Sequence, residues 1–278
     1  MFNKMKYKFG IMQGRLLPKY KGRYQAHPVG YWKDEFIIAS KLGLDSIEFI
    51  LDYNESINNP LLTPEGIQEI QKIENSSGVK VRSICADYFM EAPIHSSNTA
   101  IVDKSLKVLN SLIENASILN VRDIVIPCVD QSSLKEKSDV NNFVNNIKLI
   151  TNTAQKAGIN ISLETDLAPI PFVNLLDSIN FKNVTVNYDI GNSAALGYDP
   201  IEEFRLYGHK ITDLHIKDRL LGGASVMLGS GNANFSQIFD LLLKYEYQGI
   251  LIFQAFRDDE GLEIFKKQLS WFLKNVSV

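Results

Sequence analysis

The sequence predicts a single-domain α/β protein, a (β/α)8 barrel, on three observations. Eight short runs rich in β-branched and aromatic residues recur along the 278 residues, segments with helical spacing of apolar residues separate them, and glycines end several of those segments. Strict alternation of strand and helix gives parallel strands, arranged as an open doubly wound sheet or as a closed barrel. Eight units favour the barrel, with one domain over residues 1–278.

The predicted strands follow one another along the chain at 7–13, 45–50, 79–86, 123–129, 159–164, 184–189, 211–216 and 249–254. Gly43, Gly78 and Gly158 each follow an apolar helical segment and precede a strand, as expected for a glycine at the end of a helix. Thr63 followed by Pro64 predicts the start of the second helix. The turn after the first strand reads MQGRLLPKYKG and lacks the GxGxxG of an open dinucleotide-binding sheet, which again favours the barrel.

Composition excludes several classes of protein. Hydrophobic residues make up 45% and charged residues 22%, with a net charge of −3, so we expect no broad basic face for nucleic acid. No apolar run approaches the roughly 18 residues of a membrane span, and the first residues lack the features of a signal peptide, so we expect a cytoplasmic protein without membrane contact. Cys85 and Cys128 fall in apolar runs and are expected to be buried and reduced.

Polar residues end every predicted strand. In a (β/α)8 barrel the chemistry takes place at these carboxyl ends, where the following loops meet. A buried charge without a partner is costly, so such residues indicate a site or a cap. We expect Asp87 and Asp130 to start helices or turns. The eight strand-end residues are Gln13, Glu48, Asp87, Asp130, Glu164, Asp189, His215 and Gln254.

Four of these residues come from the consecutive strands five to eight, namely Glu164, Asp189, His215 and Gln254. Two carboxylates, an imidazole and an amide oxygen form a mixed nitrogen and oxygen site suited to a divalent ion such as Mn²⁺, Mg²⁺, Co²⁺ or Zn²⁺. The alternative interpretation is a salt-bridged polar cluster that closes the mouth of the barrel.

Around these residues the sequence resembles the xylose-isomerase-like barrel superfamily, which includes ketose 3-epimerases, hydroxypyruvate isomerase, inosose dehydratase and type-IV apurinic endonucleases. The segments that carry the resemblance are SLETD, YDIGN, LHIKDR and LGSGNANF. It implies that the glutamate, aspartate and histidine of the four-residue set are metal ligands. It also implies that Asn192, Lys217 and Arg219 contact the substrate, and we expect Gln13 and Glu48 to face it from the first two strands.

One position departs from the ketose 3-epimerases, in which the fourth ligand is a glutamate on strand eight. The matching segment here is LIFQAFRDDEG, with Gln254. A glutamine carbonyl can coordinate a metal but cannot accept a proton as a carboxylate does. A mechanism with two glutamates on opposite faces of the substrate is therefore not expected in this chain.

The first loop is basic. No acidic residue lies between Gln13 and Asp34, whereas cations and tyrosines alternate there. A positive field at the barrel mouth favours an anionic substrate group such as phosphate or carboxylate, and Arg15 and Arg257 are the predicted contacts. The alternative interpretation is a solvated surface loop.

These features predict a metal-dependent isomerase or epimerase that acts on a small sugar, sugar acid or sugar phosphate by proton or hydride transfer next to a carbonyl. Glu164 is the predicted base, with Glu48 or Asp87 as its replacement. A sugar-acid or inosose dehydratase and a non-catalytic sugar-binding barrel are the alternatives. The four histidines are too few for the trinuclear zinc site of an apurinic endonuclease. The sequence leaves the sugar, the metal and any homo-oligomer open.

Overall fold

The structure is a computed structural model that describes residues 7–276, and these form a closed barrel of eight parallel strands. Pairing between the first and last strands, from Lys8 with Ile250 to Ile11 with Phe253, closes the barrel. The predicted fold class and all eight predicted strands are therefore confirmed. The strands are β1 (Lys8–Met12), β2 (Ser46–Ile50), β3 (Lys80–Cys85), β4 (Asp123–Cys128), β5 (Asn160–Thr165), β6 (Val184–Asp189), β7 (Ile211–Ile216) and β8 (Ile250–Phe253).

Helices surround the barrel, and the segments after β3 and β6 each contain two of them. The predicted helix ends are present: Gly43 and Gly78 have left-handed φ angles of 78° and 80° at the ends of the first two helices, and Thr63 accepts a hydrogen bond from the Gly66 amide. The helices are α1 (Trp32–Leu42), α2 (Pro64–Ser77), α3 (Tyr88–Glu91), α4 (Thr99–Ile118), α5 (Lys137–Lys156), α6 (Pro169–Ile179), α7 (Ile190–Leu196), α8 (Pro200–Tyr207), α9 (Phe235–Lys244) and α10 (Leu262–Asn275).

The main hydrophobic core lies between the helices and the outer face of the barrel. Phe9 and Phe253 stack across the barrel closure with ring centroids 5.7 Å apart, and Phe272 of α10 packs edge-on against both. Each such buried side chain contributes roughly 1.5–3 kcal/mol. Inside the barrel a smaller apolar cluster leaves room for polar side chains and consists of Met12, Ile50, Cys85, Val125 and Ile252.

The segment after β7 forms a short hairpin, in which Asp218–Arg219 pairs with Ser225–Val226. The buried Asp218 carboxylate then accepts hydrogen bonds from the backbone amides of Gly229, Gly231 and Ala233. This carboxylate explains why a tight glycine-containing turn precedes α9. Within the described residues, no helix has both the length and the apolar character needed to cross a membrane.

Candidate active site

A cavity of about 650 Å³ opens at the carboxyl ends of the barrel strands. Residues from the first loop and from the loops after several strands line it, so it lies where the chemistry of a barrel is expected. The lining residues used below are Arg15, Arg23, Gln25, Asp87, Asp130, Glu164, Asn192, Lys217, Arg219 and Gln254.

Three predicted ligands meet beside this cavity: Glu164 lines it, and Asp189 and His215 lie buried behind that wall. Asp189 and His215 are register partners on β6 and β7, and Glu164 lies on the adjacent β5. The Nδ1 atom of His215 lies 3.8 Å from Asp189 Oδ2 and 4.0 Å from Glu164 Oε2. All three side chains are buried, and one potential ligand atom of each lies within 4.8 Å of the others. A small rotation of these side chains would let one ion at about 2.0–2.2 Å contact all three.

Several buried atoms near this cluster have no hydrogen-bond partner within residues 7–276, among them His215 Nδ1 and Gln254 Oε1. Gln254 lines the same cavity, and its Nε2 donates to Gln25 Oε1 at 3.1 Å. A buried polar atom left unpaired costs about 1–3 kcal/mol. Both atoms can offer a lone pair to a cation, so the orphaned pair and the two carboxylates fit a divalent ion with nitrogen and oxygen ligands.

The two carboxylates differ in protonation. Burial and the neighbouring Asp189 raise the pKa of Glu164 to about 7. Burial alone would also raise the pKa of Asp189, but Lys217 and His215 hold it below its ordinary value. Asp189 therefore stays ionised, whereas Glu164 can take up a proton near neutral pH.

A polar network extends from these carboxylates along the cavity wall. Asn192 Nδ2 donates to Glu164 Oε1 at 2.7 Å, and Asn192 Oδ1 accepts from Arg219 at 2.8 Å. Lys217 Nζ lies 3.1 Å from Asp189 Oδ2. Asp189 Oδ1 also accepts the Asn192 amide and so caps the start of α7. The three predicted substrate contacts on this wall do line the cavity.

Glu48 occupies a different place from the one expected. It is completely buried, does not line the cavity, and accepts a hydrogen bond from His215 Nε2 at 2.8 Å. Glu48 lies deeper in the barrel than the end of its strand, because β2 continues through Phe49 and Ile50. Its side chain contacts the His215 imidazole there. Glu48 therefore reaches the site only through His215, and its predicted roles as substrate contact and replacement base stay predictions that this position does not support.

Gln13 and Arg257 also differ from expectation, because neither lines the cavity. Gln13 Oε1 accepts the Ile50 amide and pairs with His27 Nδ1. The Arg257 guanidinium donates to the carbonyl oxygens of Gly14 and Leu17, both at 2.6 Å. The Arg257 guanidinium is fully engaged in holding the first loop, whereas Gln13 Nε2 is buried without a hydrogen-bond partner within residues 7–276. Neither side chain reaches the cavity, so their predicted substrate contacts gain no support from this position.

The first loop is neither a free basic patch nor a solvated surface loop. Four of its cations form ion pairs with acids from other segments, which neutralises most of the predicted field. Arg15 is buried along the cavity, with Nη1 donating to the Tyr24 carbonyl and Nη2 to Gln25 Oε1. The ion pairs are Lys19–Asp259, Lys21–Glu55, Arg23–Asp52 and Lys33–Glu69.

Sequence reasoning missed Gln25 and did not predict that the Asp87 side chain contacts it. Gln25 Nε2 donates to Asp87 Oδ2 at 2.8 Å, and Cys85 donates to the other carboxylate oxygen. Asp87 lies at the start of α3, as expected, but its side chain accepts no hydrogen bond from that helix. Asp130 does begin a 3-10 turn, with a φ of 51°. Nothing in the sequence singles out Gln25, an uncharged residue in a loop.

Residues 36–275 match the family model described as xylose isomerase-like TIM barrel. The chain belongs to this family. It is 25% identical over 224 residues to a probable L-ribulose-5-phosphate 3-epimerase of Mycoplasma pneumoniae, covering 77% of this chain and 73% of that protein. Such relatives are named as sugar epimerases, which are isomerases, in agreement with the predicted enzyme class.

Two solved structures share the fold. The apo 3-keto-D-glucoside 4-epimerase of E. coli has a TM-score of 0.73 at 15% identity, with 97% of this chain and 100% of that chain covered. A xylose isomerase-like TIM barrel protein from Mycobacterium smegmatis, in complex with magnesium, has a TM-score of 0.72 at 17% identity over 97% and 96% of the two chains.

Proposed function

We propose that this protein is a metal-dependent isomerase or epimerase that moves a proton next to a carbonyl of a small sugar, sugar acid or sugar phosphate. The observation that carries the proposal is the convergence of Glu164, which lines an open cavity, with the buried Asp189 and His215. The naming of a relative as a sugar phosphate epimerase supports the same reaction class.

Glu164, Asp189, His215 and Gln254 would hold the ion. When bound, a divalent cation such as Mn²⁺, Mg²⁺, Co²⁺ or Zn²⁺ stabilises negative charge on the substrate oxygens and so acidifies the adjacent C–H. The orphaned His215 Nδ1 and Gln254 Oε1 support this ligand set, as does the magnesium in the mycobacterial relative.

Glu164 is the proposed base. Its Oε2 faces His215, whereas its Oε1 is held by the Asn192 side chain. The two oxygens therefore have different surroundings, so one can face the ion while the other stays on the Asn192 side of the cavity wall. Lys217 and Arg219, on the same wall, would bind substrate hydroxyl or carbonyl oxygens.

One cationic side chain of the cavity supports an anionic substrate. Arg15 Nε is buried and has no hydrogen-bond partner within residues 7–276, although both terminal nitrogens of the guanidinium are engaged. Arg219 is a second guanidinium in the lining, whereas Arg23 is paired with Asp52 and acids such as Asp87 and Asp130 also line the cavity. The support for an anionic group therefore comes from Arg15. A phosphate or carboxylate on the substrate would satisfy this remaining donor.

The direct test is a screen of free and phosphorylated ketoses and sugar acids in D2O, with each of the four cations, followed by NMR. Proton transfer predicts a new epimer or isomer that carries deuterium at the reacting carbon. Conversion without deuterium would indicate a hydride shift or a shielded proton. A screen with no conversion in a protein that retains no divalent cation would instead favour the sugar-binding barrel.

Gln254 favours one second candidate, a sugar-acid or inosose dehydratase. Loss of water needs one strong base, and this chain has a neutral amide at the strand-eight position. Mass spectrometry of the same reactions separates the two, because a dehydratase product is lighter by one water and an epimer has unchanged mass.

A further inference from the structure

The four proposed ligands are of two kinds. A carboxylate can ligate through either oxygen, so Glu164 and Asp189 tolerate rotation. His215 and Gln254 cannot, because an imidazole has two distinct nitrogens and an amide has one oxygen and one NH2 group. The site depends on which of these atoms faces the cavity.

We infer that Glu48 and Gln25 are positioning residues that direct His215 Nδ1 and Gln254 Oε1 to the metal. The inference rests on the metal site of the proposed function. In both pairs a neighbour engages the nitrogen that is not a ligand, and the remaining atom is left buried and without a partner.

Glu48 fixes the histidine. Its Oε1 lies 2.8 Å from His215 Nε2, and both side chains are completely buried. A carboxylate requires a proton on Nε2, which leaves the Nδ1 lone pair for the ion beside Glu164 and Asp189. Glu48 lies outside the cavity, so this contact through His215 is its link to the site.

Gln25 fixes the glutamine, and Arg15 determines how. A guanidinium only donates hydrogen bonds, so the Gln25 atom that receives Arg15 Nη2 at 2.9 Å must be the amide oxygen. That same oxygen lies 3.1 Å from the Gln254 side chain. Gln254 must therefore present its NH2 group to Gln25 and its oxygen to the cluster.

The opposite orientation of the Gln254 amide is disfavoured both at Gln25 and at the metal cluster. Turning Gln254 over would place two carbonyl oxygens against each other at Gln25. It would also direct an NH2 group, which has no lone pair to offer, to the metal cluster. Asp87 supports the observed orientation because it accepts the Gln25 NH2 group at 2.8 Å.

The test is the affinity of metal-free protein for Mn²⁺, followed by the EPR signal of free Mn²⁺ without any sugar. Glu48→Gln and Gln25→Met are each expected to weaken binding by about 10–100-fold, the usual effect of losing an outer partner of a ligand. Glu74→Gln is the matched control for the first, because Glu74 is a buried glutamate that accepts the Val81 amide far from the site.

The matched control for the second is the exchange Gln25→Glu with Asp87→Asn. It preserves the total charge, the acceptor for Arg15 and Gln254, and the hydrogen bond between positions 25 and 87. Affinity within a few-fold of the wild type is expected. If the exchange is as weak as Gln25→Met, then Gln25 does not act by accepting from Gln254, and that half of the inference fails.

NMR of ¹⁵N-labelled histidine in the diamagnetic Zn²⁺ complex gives a second readout. It should show the metal on Nδ1 of His215 and a proton on Nε2. Metal on Nε2, or Glu48→Gln binding Mn²⁺ as tightly as wild type, would overturn the role of Glu48. A wild-type protein that binds no divalent ion would refute both this inference and the proposed function, whereas failure of the variants alone leaves the function standing.

Discussion

The two sides of the cavity were predicted with very different success. On the β5–β8 side, Glu164, Asp189 and His215 converge as their positions at consecutive strand ends predicted. On the first-loop side, Gln13 and Arg257 are structural and most of the basic charges are paired with acids. Strand alternation and parallel register fix where a strand-end side chain points, whereas a loop side chain depends on partners from distant segments.

Removing the proposed base tests the ligand side and should have the largest effect. Glu164→Gln is expected to lower proton exchange and turnover by about 10²–10⁴-fold, because an amide cannot accept the proton. Exchange of the reacting C–H in D2O measures it, with the Glu74→Gln variant as control. Near-normal turnover with metal still bound would refute the assignment of Glu164.

Removing the Arg257 hydrogen bonds that hold the first loop tests the first-loop side of the cavity through protein stability. Arg257→Met leaves the Gly14 and Leu17 carbonyl oxygens without their charged donor and is expected to lower the free energy of unfolding by about 2–4 kcal/mol. Urea unfolding measures it. Lys19→Met, which removes a pair with the exposed Asp259, should cost under about 1 kcal/mol. Equal losses of unfolding free energy in the two variants would show that Arg257 does not hold the first loop.

Glu35 of α1 adds a pH dependence to the same loop. It accepts the Gly14 and Leu16 amides, and its burial raises its pKa from 4.5 to about 7. The folded state then holds a proton that the unfolded state loses, so stability falls as pH rises from about 4.5 to about 7, by roughly 3 kcal/mol for this group. Urea unfolding across that range should show the fall, and Glu35→Gln should reduce its slope, because Glu164, whose pKa is also raised to about 7, contributes to the same range. The same slope in the variant would assign it to other groups.

Restoring a carboxylate on strand eight should have the smallest effect. Gln254→Glu adds a negative ligand beside Asp189 and is expected to tighten Mn²⁺ binding by about 10-fold, because affinity follows the charge of the ligand set. Titration by EPR measures it. Unchanged affinity would indicate that residue 254 does not contact the ion.

The sequence predicted the barrel because apolar periodicity, Gly43 and Gly78 all report local conformation. The sequence prediction placed Glu48 at the end of its strand, although the residues after it indicated a deeper position. Phe49, Ile50 and Leu51 continue the apolar run beyond it, which places its side chain deeper than a strand end. Gln25 could not have been found, because its role follows from two long-range contacts, with Asp87 and Gln254, and one with Arg15 of the same loop.

The position of Asp189 couples metal binding to the stability of the α7 N-terminus. One carboxylate oxygen holds the first turn of α7 while the other faces the ligand cluster. Local opening of α7 must release this carboxylate, so an ion that binds only the closed form makes that opening less favourable. Amide hydrogen exchange in α7 should therefore slow when metal is added, whereas exchange by local opening of α10, which carries none of the proposed ligands, should keep its metal-free rate.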